Sequence, residues 1–197
     1  MSKFQRDRMQ LPNRQRTPHQ VLGPYFPVAS MSVSSGDLTG GDGREDRAQG
    51  EIIEVKGRVL NREGEPVRGA RLTIWQANTF GRYAHPNDSN PAPSDANFVG
   101  FAAIVSDHNG AYSIKTVKPG VYPIGPGQMR PPHIHFEVQG KFERLITQMY
   151  FPGEPLNSCD RFLTSASQPD LLIARPLSLQ DDLGHHALVF DIVLTRG

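Results

Sequence analysis

Hydrophobic and polar residues alternate along several short stretches of this chain. Between residues 53 and 59, every second position is apolar or glycine, and the positions between them carry charged side chains. A period of two is typical of a β-strand that buries one face. Similar patterns predict further strands at 70–77, 101–106, 111–117, 133–138, 144–151 and 186–195.

Turn-forming residues separate these predicted strands. The chain contains 17 prolines and 19 glycines, and only two short stretches, 160–163 and 169–174, have a pattern compatible with helical turns. Many short strands joined by Gly/Pro-rich turns favour packed sheets over helices. The sequence therefore predicts an all-β fold, an antiparallel β-sandwich with long loops and few short helices.

The first 50 residues have a different character and predict an extended N-terminal arm and linker, so that the main domain covers residues 51–197. Four prolines between residues 12 and 27 disfavour a helix, and residues 32–49 are rich in Ser, Gly and Asp. The apolar segment 21–27 is an exception, and we expect it to dock on the domain or on another subunit.

Composition limits the classes of function. The formal net charge is +1, so nothing in the composition demands an acidic polymer as partner, and we interpret the basic N-terminal residues Lys3, Arg6, Arg8, Arg14 and Arg16 as a solvated arm rather than a nucleic-acid site. A single cysteine, Cys159, cannot form an intramolecular disulfide, and we find neither a secretory signal pattern nor an 18-residue apolar run. We expect a cytoplasmic protein that binds neither nucleic acid nor membrane.

Two histidines in the predicted strand 133–138 form the first candidate site. His133 and His135 are two residues apart, so both side chains lie on one face of a strand. Two imidazoles on one face can bind a single metal ion. The spacing is equally compatible with buried histidines that are only hydrogen-bonded.

Two tyrosines in Gly- and Pro-rich settings could complete such a site. Tyr83 follows Gly81-Arg82, and Tyr122 lies within Pro119-Gly-Val-Tyr-Pro123. A phenol with a pKa near 10 ionises at neutral pH only if its anion is strongly favoured, which a trivalent cation achieves. Phenolate and imidazole ligands together suit Fe(III) better than Zn(II) or Cu(I). Each tyrosine alone could also be a half-buried packing residue.

Several longer motifs resemble the intradiol ring-cleaving dioxygenases, and in particular the branch typified by protocatechuate 3,4-dioxygenase. They occur in the family's order between about residues 57 and 194. The motifs include Ile74-Trp-Gln-Ala-Asn78, Gly81-Arg-Tyr83, Lys118-Pro-Gly-Val-Tyr-Pro123, Arg130-Pro-Pro-His-Ile-His-Phe136 and Leu145-Ile-Thr-Gln-Met-Tyr-Phe151.

The resemblance implies a mononuclear non-haem Fe(III) and an oxidoreductase that inserts both atoms of O2 into a catechol-type ring, giving a cis,cis-muconate. The implied ligands are Tyr83, Tyr122, His133 and His135. Tyr122 would be displaced when the diol binds and would take up one of its protons. Protocatechuate is the leading substrate, and another substituted catechol or hydroxyquinol is the alternative.

Arg130 and Gln148 are further candidates. The Arg130 guanidinium could stabilise negative charge that builds on the ring, as the resemblance implies, or it could form a salt bridge that holds the loop in place. The resemblance puts Gln148 near the substrate. We expect Trp75 to pack in the core near Tyr83.

Two departures from the family pattern affect specificity and assembly. Ile124 stands where family members with carboxylate-bearing substrates often have Trp, which leaves the ring substituent open. The protocatechuate-type enzymes pair two related chains, whereas this chain holds all four implied ligands, so we expect a homo-oligomer or a hetero-oligomer with a related chain. The chain also lacks the long helical N-terminal segment of the catechol and hydroxyquinol enzymes, which favours the protocatechuate-like branch.

Two other functions compete with this interpretation. His133, His135 and Glu137 lie at alternate positions of one strand, and two histidines with one carboxylate are typical of cupin-like Fe(II) enzymes. The strand and turn sequence from Gly57 to Tyr112 also resembles non-catalytic β-sandwich modules that bind carbohydrate or regulate larger proteins.

Overall fold

The computed structural model describes residues 13–28, 32–40, 47–177 and 186–197. The basic residues Lys3, Arg6 and Arg8 of the predicted arm lie outside the described residues. Within these ranges the chain forms eleven strands, one short α-helix and two 3-10 turns. The predicted all-β fold is confirmed, because the helical segments of the described residues are confined to the stretch between Pro155 and Leu172.

The strands follow one another closely along the chain. Their bounds are β1 Ile52–Leu60, β2 Arg71–Trp75, β3 Phe101–Val105, β4 Ala111–Val117, β5 Tyr122–Gly125, β6 Gln128–Arg130, β7 His133–Gln139, β8 Arg144–Tyr150, β9 Arg175–Pro176, β10 His186–Val189 and β11 Ile192–Val193. The helical elements are a 3-10 turn at Pro155–Cys159, helix α1 at Arg161–Thr164 and a second 3-10 turn at Pro169–Leu172.

Two sheets pack face to face. In the described part of the chain, one sheet has the order β3-β2-β7-β8 and is antiparallel throughout. The other sheet is mixed, because β1 pairs antiparallel with β4 but parallel with β10 and β11. The pattern predicted one strand over 186–195, whereas the structure divides it into β10 and β11.

The side chains of β1 alternate between the core and the solvent, as the sequence predicts. Ile53, Val55 and Val59 are buried in the core between the sheets, whereas Lys56 and Arg58 are exposed. Strand β7 is different, because its first six residues are all buried. Its apolar residues Ile134, Phe136 and Val138 enter the core, so its polar residues lie on the outer face, beneath other parts of the chain.

The described part of the N-terminal region lies against the sandwich. The backbone N–H groups of Thr17 and Gln20 donate to carbonyls of Val193 and Ile146, and Leu38 is fully buried in the main core. Residues 22–26 pack on the outer face of the β3-β2-β7-β8 sheet. The docking predicted for segment 21–27 is therefore confirmed, and the domain boundary at residue 50 stays a prediction. None of the described helices is long and apolar enough to cross a membrane.

Candidate metal centre

Strand β7 presents His133 and His135 side by side on its outer face. Their Nε2 atoms are 3.2 Å apart, and both side chains are almost completely buried. Trp75 on the neighbouring β2 stacks on the His135 ring at 4.8 Å, which fixes the plane of that imidazole. The spacing of two residues on a strand therefore produces the shared face that the sequence predicted.

Tyr122 reaches the same point from the β5–β6 hairpin. Its hydroxyl lies 3.4 Å from His133 Nε2. The hairpin itself was missed by the sequence pattern, because Tyr122–Gly125 and Gln128–Arg130 are too short and too rich in Gly and Pro to show a period of two. The hairpin is nevertheless essential to the site, because it places Tyr122 over the outer face of β7.

Tyr83 comes from the loop that follows β2. Asn78 organises this loop, because its side-chain oxygen accepts hydrogen bonds from the backbone N–H groups of Phe80 and Arg82. Gly81 has φ = 84°, and a Cβ there would lie 2.1 Å from the Val121 carbonyl oxygen, so only glycine lets this loop approach the chain just before Tyr122. The Tyr83 and Tyr122 rings consequently meet edge to face, with centroids 5.4 Å apart.

Two polar atoms of this cluster, the Tyr83 hydroxyl oxygen and His133 Nε2, are available to bind an additional group. The Tyr83 hydroxyl is buried and has no hydrogen-bond partner, which is costly for a polar group in a folded protein. The Pro131 carbonyl accepts a hydrogen bond from His133 Nδ1 at 2.8 Å, so His133 Nε2 carries a lone pair that faces the cluster. A metal ion could bind both of these atoms; in the described part of the chain, His133 Nε2 otherwise faces only His135 Nε2 and the Tyr122 hydroxyl.

Burial keeps the four groups neutral. Burial raises the pKa of Tyr83 well above its ordinary value, and the nearby Tyr122 raises it further. Burial also raises the pKa of Tyr122, although the Arg130 guanidinium partly offsets this. Burial, followed by the charge of Arg130, lowers the pKa of His135 to about 3 and that of His133 well below its usual range.

These protonation states suit a hard, highly charged cation. Neutral imidazoles are ready to bind a metal, and a phenol becomes a phenolate only when a strong cation replaces its proton. Two phenols and two imidazoles therefore fit ferric iron better than a soft metal. The residues predicted as ligands, Tyr83, Tyr122, His133 and His135, are thus brought together, and their role as ligands stays a proposal.

An N-terminal segment covers the cluster. The Tyr25 ring packs on Tyr83 with centroids 4.6 Å apart, and Phe26 meets the edge of Trp75 at 5.0 Å. The Val21 carbonyl accepts a hydrogen bond from Gln148 Nε2. The sequence predicted that this segment docks, but not that it docks over the candidate ligands.

Arg130 and Gln148 belong to a second buried polar network beside the first. Arg130 Nε donates to Asp160 Oδ2 at 2.5 Å, and its NH2 group donates to Gln148 Oε1 at 2.7 Å and to the Tyr150 hydroxyl at 2.8 Å. The salt bridge that the sequence analysis considered is therefore present. Arg130 is also the residue opposite Tyr122 in the β5–β6 register, so its charge lies near the candidate site as well.

Sequence reasoning missed Asp160, Tyr150 and Asp88. Asp88 Oδ2 accepts from the Tyr83 backbone N–H at 2.7 Å and thereby fixes the position of that tyrosine. An aspartate directly before the helical turn at 161–164 is a typical N-cap, which could have drawn attention to Asp160. Nothing in the sequence indicates that the same carboxylate binds Arg130.

The third residue of the His-x-His-x-Glu alternative has another partner. Glu137 accepts a hydrogen bond from Arg144 and forms an ion pair with it. Among the residues that the structure describes, no three His, Cys, Asp or Glu side chains are close enough to hold a metal ion. The geometry therefore gives no support to an Fe(II) site with two histidines and one carboxylate.

An open pocket lies beside the candidate site. Its volume is about 440 Å³, and it is bounded on one side by the β5–β6 hairpin and on the other by the segment around α1. Ile124 is partly exposed in its wall, together with Met129 and Phe162. The wall is mainly apolar, with Arg161 as its one cation among the lining residues.

A β-sandwich in which a loop and a hairpin bring two tyrosines to two histidines on one strand defines the class of this protein as a candidate metalloenzyme. A family model described as Dioxygenase, named Dioxygenase_C, matches residues 21–196. The chain belongs to the intradiol ring-cleaving dioxygenases, enzymes that open a catechol-type ring between its two hydroxyl-bearing carbons. The non-catalytic module considered in the sequence analysis is thereby set aside.

Curated relatives and solved structures agree with this family. The chain is 41% identical over 195 residues to the protocatechuate 3,4-dioxygenase beta chain of Burkholderia cepacia, covering 95% of this chain and 82% of the relative. It is 33% identical to catechol 1,2-dioxygenase 2 of Acinetobacter lwoffii, covering 71% of this chain and about half, 52%, of that relative. The dioxygenase domain of a dioxygenase carbohydrate-binding protein fusion from Streptomyces sp. SirexAA-E superposes with a TM-score of 0.71 at 29% identity, covering 93% of this chain and 100% of that one.

Proposed function

We propose that the protein uses a mononuclear Fe(III), held by Tyr83, Tyr122, His133 and His135, to cleave protocatechuate to 3-carboxy-cis,cis-muconate. The observation that carries this proposal is the convergence of the four side chains, with an unpartnered buried hydroxyl on Tyr83 and two imidazole Nε2 atoms 3.2 Å apart. When bound, the ferric ion would supply the Lewis acidity that binds the diol and makes the ring reactive toward O2.

The protein's own residues would prepare the diol. Tyr122 lies at the start of a short hairpin whose next residues are exposed, so its hydroxyl oxygen can move away from the cluster and accept a proton from the substrate. Tyr83 is held by Asp88 through its backbone and by the Tyr25 ring, so it would remain in place. The two tyrosines would therefore have different roles although their chemistry is the same.

Arg130 would stabilise the charge that develops on the ring. Its guanidinium is buried and faces the cluster that contains Tyr122, and a fixed charge in a water-poor site acts more strongly than one in solvent. Gln148 would hold both this arginine and the covering segment, through its contacts with Arg130 and the Val21 carbonyl. Trp75 and Phe26 would exclude water.

The choice of protocatechuate rests on the 41% identity to a protocatechuate 3,4-dioxygenase beta chain. Ile124 lies in the wall of the neighbouring pocket. Its side chain is smaller than the Trp that family members with carboxylate-bearing substrates often have at this position, so the pocket has room for other ring substituents, and these should be tested as well. Catechol and hydroxyquinol are the alternative substrates.

Two measurements would test the proposal. The first is the visible absorption of the iron-loaded protein before and after anaerobic addition of protocatechuate. We expect a tyrosinate-to-iron band that shifts to longer wavelength with the diol and bleaches when O2 is admitted. A protein that binds no iron would refute the four-ligand site. The second is kcat/KM for protocatechuate, catechol and hydroxyquinol, and a higher value for either alternative would reassign the substrate.

We also propose that the active protein is an oligomer, either of this chain alone or with a related chain. The name of the beta-chain relative supports a partner of a second type. Light scattering of the purified chain, combined with its activity, tests this. Full activity of a homo-oligomer would exclude the need for a related chain, and activity of a monomer would refute the proposal.

A further inference from the structure

The buried network around Arg130 leads to a role for Asp160 that rests on the proposed function. We propose that Asp160 is a positioning residue, which fixes the plane of the Arg130 guanidinium beside Tyr122 so that its charge faces the diol. Four side chains build this network, and all are almost fully buried: Arg130, Gln148, Tyr150 and Asp160.

The orientation of Arg130 is determined from two sides. Asp160 Oδ2 accepts from Nε at 2.5 Å, whereas Gln148 and Tyr150 accept from the same terminal nitrogen, Nη2. Because a guanidinium is planar, bonds at Nε and Nη2 fix its plane, and they leave Nη1 on the remaining edge. The arginine is thus held in one orientation through a fixed set of bonds rather than by packing alone.

Asp160 itself cannot easily move. Its other oxygen, Oδ1, accepts from the backbone N–H groups of Phe162 and Leu163 at 2.8 and 2.9 Å and so caps α1. The Tyr150 hydroxyl approaches the same oxygen at 3.4 Å. One carboxylate therefore joins the start of α1 to the arginine, and the position of the guanidinium depends on the position of that helical turn.

Phe162 adds a second restraint to the same side chain. Arg130 Cζ lies 4.5 Å from the centroid of the Phe162 ring, within the range of a cation–π contact. Phe162 directly follows the first residue of α1, so the turn that Asp160 caps also supplies the aromatic face beneath the guanidinium. Loss of the cap would move both contacts together.

The register of the β5–β6 hairpin places the Arg130 guanidinium next to the candidate metal site. Tyr122 and Arg130 are cross-strand partners in β5 and β6, so the fixed guanidinium belongs to the residue directly opposite Tyr122. No hydrogen bond joins Asp160 to Tyr122 or to the two histidines among the described residues, and Asp160 would act mainly through Arg130, its direct hydrogen-bond partner.

Variants that keep the helix cap isolate the interaction with arginine. Asp160→Asn and Asp160→Ser each retain one oxygen that can cap α1, but neither supplies a carboxylate for Nε. Asp107→Asn is the matched control, because Asp107 also accepts two backbone N–H bonds, from Asn109 and Ala111, on an exposed turn that precedes β4.

The first test measures Arg130 directly and needs no turnover. In 15N-detected NMR, the Nε–H of Arg130, assigned by its disappearance in Arg130→Lys, should exchange slowly with water in the wild type and in Asp107→Asn. We expect fast exchange in Asp160→Asn and Asp160→Ser. Persistence of the slow Nε–H in both variants would overturn the proposal.

The second test measures catalysis. We expect Asp160→Asn and Asp160→Ser to lower kcat by about 10- to 100-fold, as loss of a supporting hydrogen bond to an active residue typically does, with KM changed less than about threefold. The visible band of the resting iron-loaded protein should be unchanged, because the four candidate ligands are intact. A kcat within about twofold of the wild type would overturn the proposal.

A double variant shows whether Asp160 acts through Arg130. Asp160→Asn should have no additional effect on kcat in an Arg130→Met background, because the group that it positions is gone. Additive effects would overturn the proposal. If the wild type itself shows neither an iron band nor ring cleavage while its Arg130 Nε–H loses protection in the Asp160 variants, the positioning stands and the proposed function fails.

Discussion

The two buried polar clusters beside strand β7 differ in how completely their hydrogen-bonding groups are paired. In the cluster of Arg130, Gln148, Tyr150 and Asp160, the hydrogen-bonding groups satisfy one another. In the cluster of the four candidate ligands, the Tyr83 hydroxyl has no partner and two imidazole Nε2 atoms face each other. The first cluster is complete as protein, whereas we propose that a metal ion completes the second.

This difference has consequences for stability and for activity. Removing one member of a satisfied buried network leaves its partner unpaired, which destabilises the fold. Removing a polar atom that has no partner relieves a cost that the folded protein already bears. We therefore expect substitutions among the four candidate ligands to lower activity strongly but to change the stability of the fold little. Substitutions in the Arg130 network should lower both activity and stability.

The largest effect is expected for Tyr83→Phe. Loss of this hydroxyl should reduce ring cleavage by more than about 100-fold, because Tyr83 is a proposed direct ligand and a ligand matters at least as much as the groups that support it. The free energy of unfolding of the metal-free protein should stay the same or rise, since an unpartnered buried hydroxyl costs about 1–3 kcal/mol. Steady-state kinetics and urea unfolding give the two numbers.

Tyr112→Phe is the control for that variant. Tyr112 is also a buried tyrosine, but its hydroxyl donates to the Phe190 carbonyl at 2.6 Å, and its ring lies in the core between the sheets rather than with the candidate ligands on the outer face of β7. Its loss should lower the free energy of unfolding by about 1 kcal/mol and leave activity unchanged. If Tyr83→Phe were the more destabilising of the two, the contrast between the clusters would be wrong.

The next effect is on stability, in Asp160→Ala. This change leaves the buried Arg130 charge without its carboxylate and removes the cap of α1, so we expect a loss of about 3–5 kcal/mol in the free energy of unfolding. Chemical denaturation of the metal-free protein measures it. A loss below about 1 kcal/mol would show that water or another group can replace the carboxylate.

A smaller effect is expected where the N-terminal segment covers the ligands. Gly23 has φ = 76°, and a Cβ there would lie 3.3 Å from His135 Cε1. Gly23→Ala should cost about 1–2 kcal/mol from the backbone alone and should also disturb the His135 ring, so iron affinity should fall.

Gly69→Ala separates the two contributions. Gly69 has a similar φ of 72°, but a Cβ there would meet nothing within 4 Å. Its stability should fall as much as that of Gly23→Ala, while iron affinity, measured by competition with a chelator, stays at the wild-type value. Equal iron affinity in both variants would show that the covering segment does not restrain His135.

The smallest effect concerns the Arg16–Glu143 pair, which attaches the N-terminal region to the other end of the sandwich. Burial would raise the pKa of Glu143, but hydrogen bonds from Arg16, Thr195 and Arg196 outweigh it and hold the pKa below the ordinary 4.5. A lowered pKa in the folded protein means that the stabilisation is present above pH 4.5 and disappears as the pH falls through the folded-state pKa.

Glu143→Gln tests this attachment. We expect it to lower the free energy of unfolding at pH 7 by no more than about 1 kcal/mol, because water screens a pair at the surface. The difference from the wild type should vanish in acid, as measured by urea unfolding between pH 7 and 3. If the difference in the free energy of unfolding between wild type and Glu143→Gln grew as the pH fell, the pKa of Glu143 would not be lowered in the folded protein.

Much of the fold could be predicted because period-two patterns are local. Strands 111–117 and 144–150 were predicted with bounds that agree within one residue, since their alternation and flanking turns are visible in the sequence. The β5–β6 hairpin and the division of β10 from β11 were not predicted, because short strands obtain their stability from neighbours that are distant in sequence. The parallel pairing of β1 with β10 likewise depends on that tertiary context.

The sequence by itself determined the chemistry of the candidate ligands: two phenols and two imidazoles, with the histidines on one face of one strand. Only the tertiary structure decided that Tyr83 and Tyr122 meet these histidines, that residues 21–26 cover them, and that Asp160 holds Arg130. The physical reason is distance along the chain. A strand fixes the relation of residues two apart, whereas residues tens of positions apart are brought together only when buried sheets and loops pack.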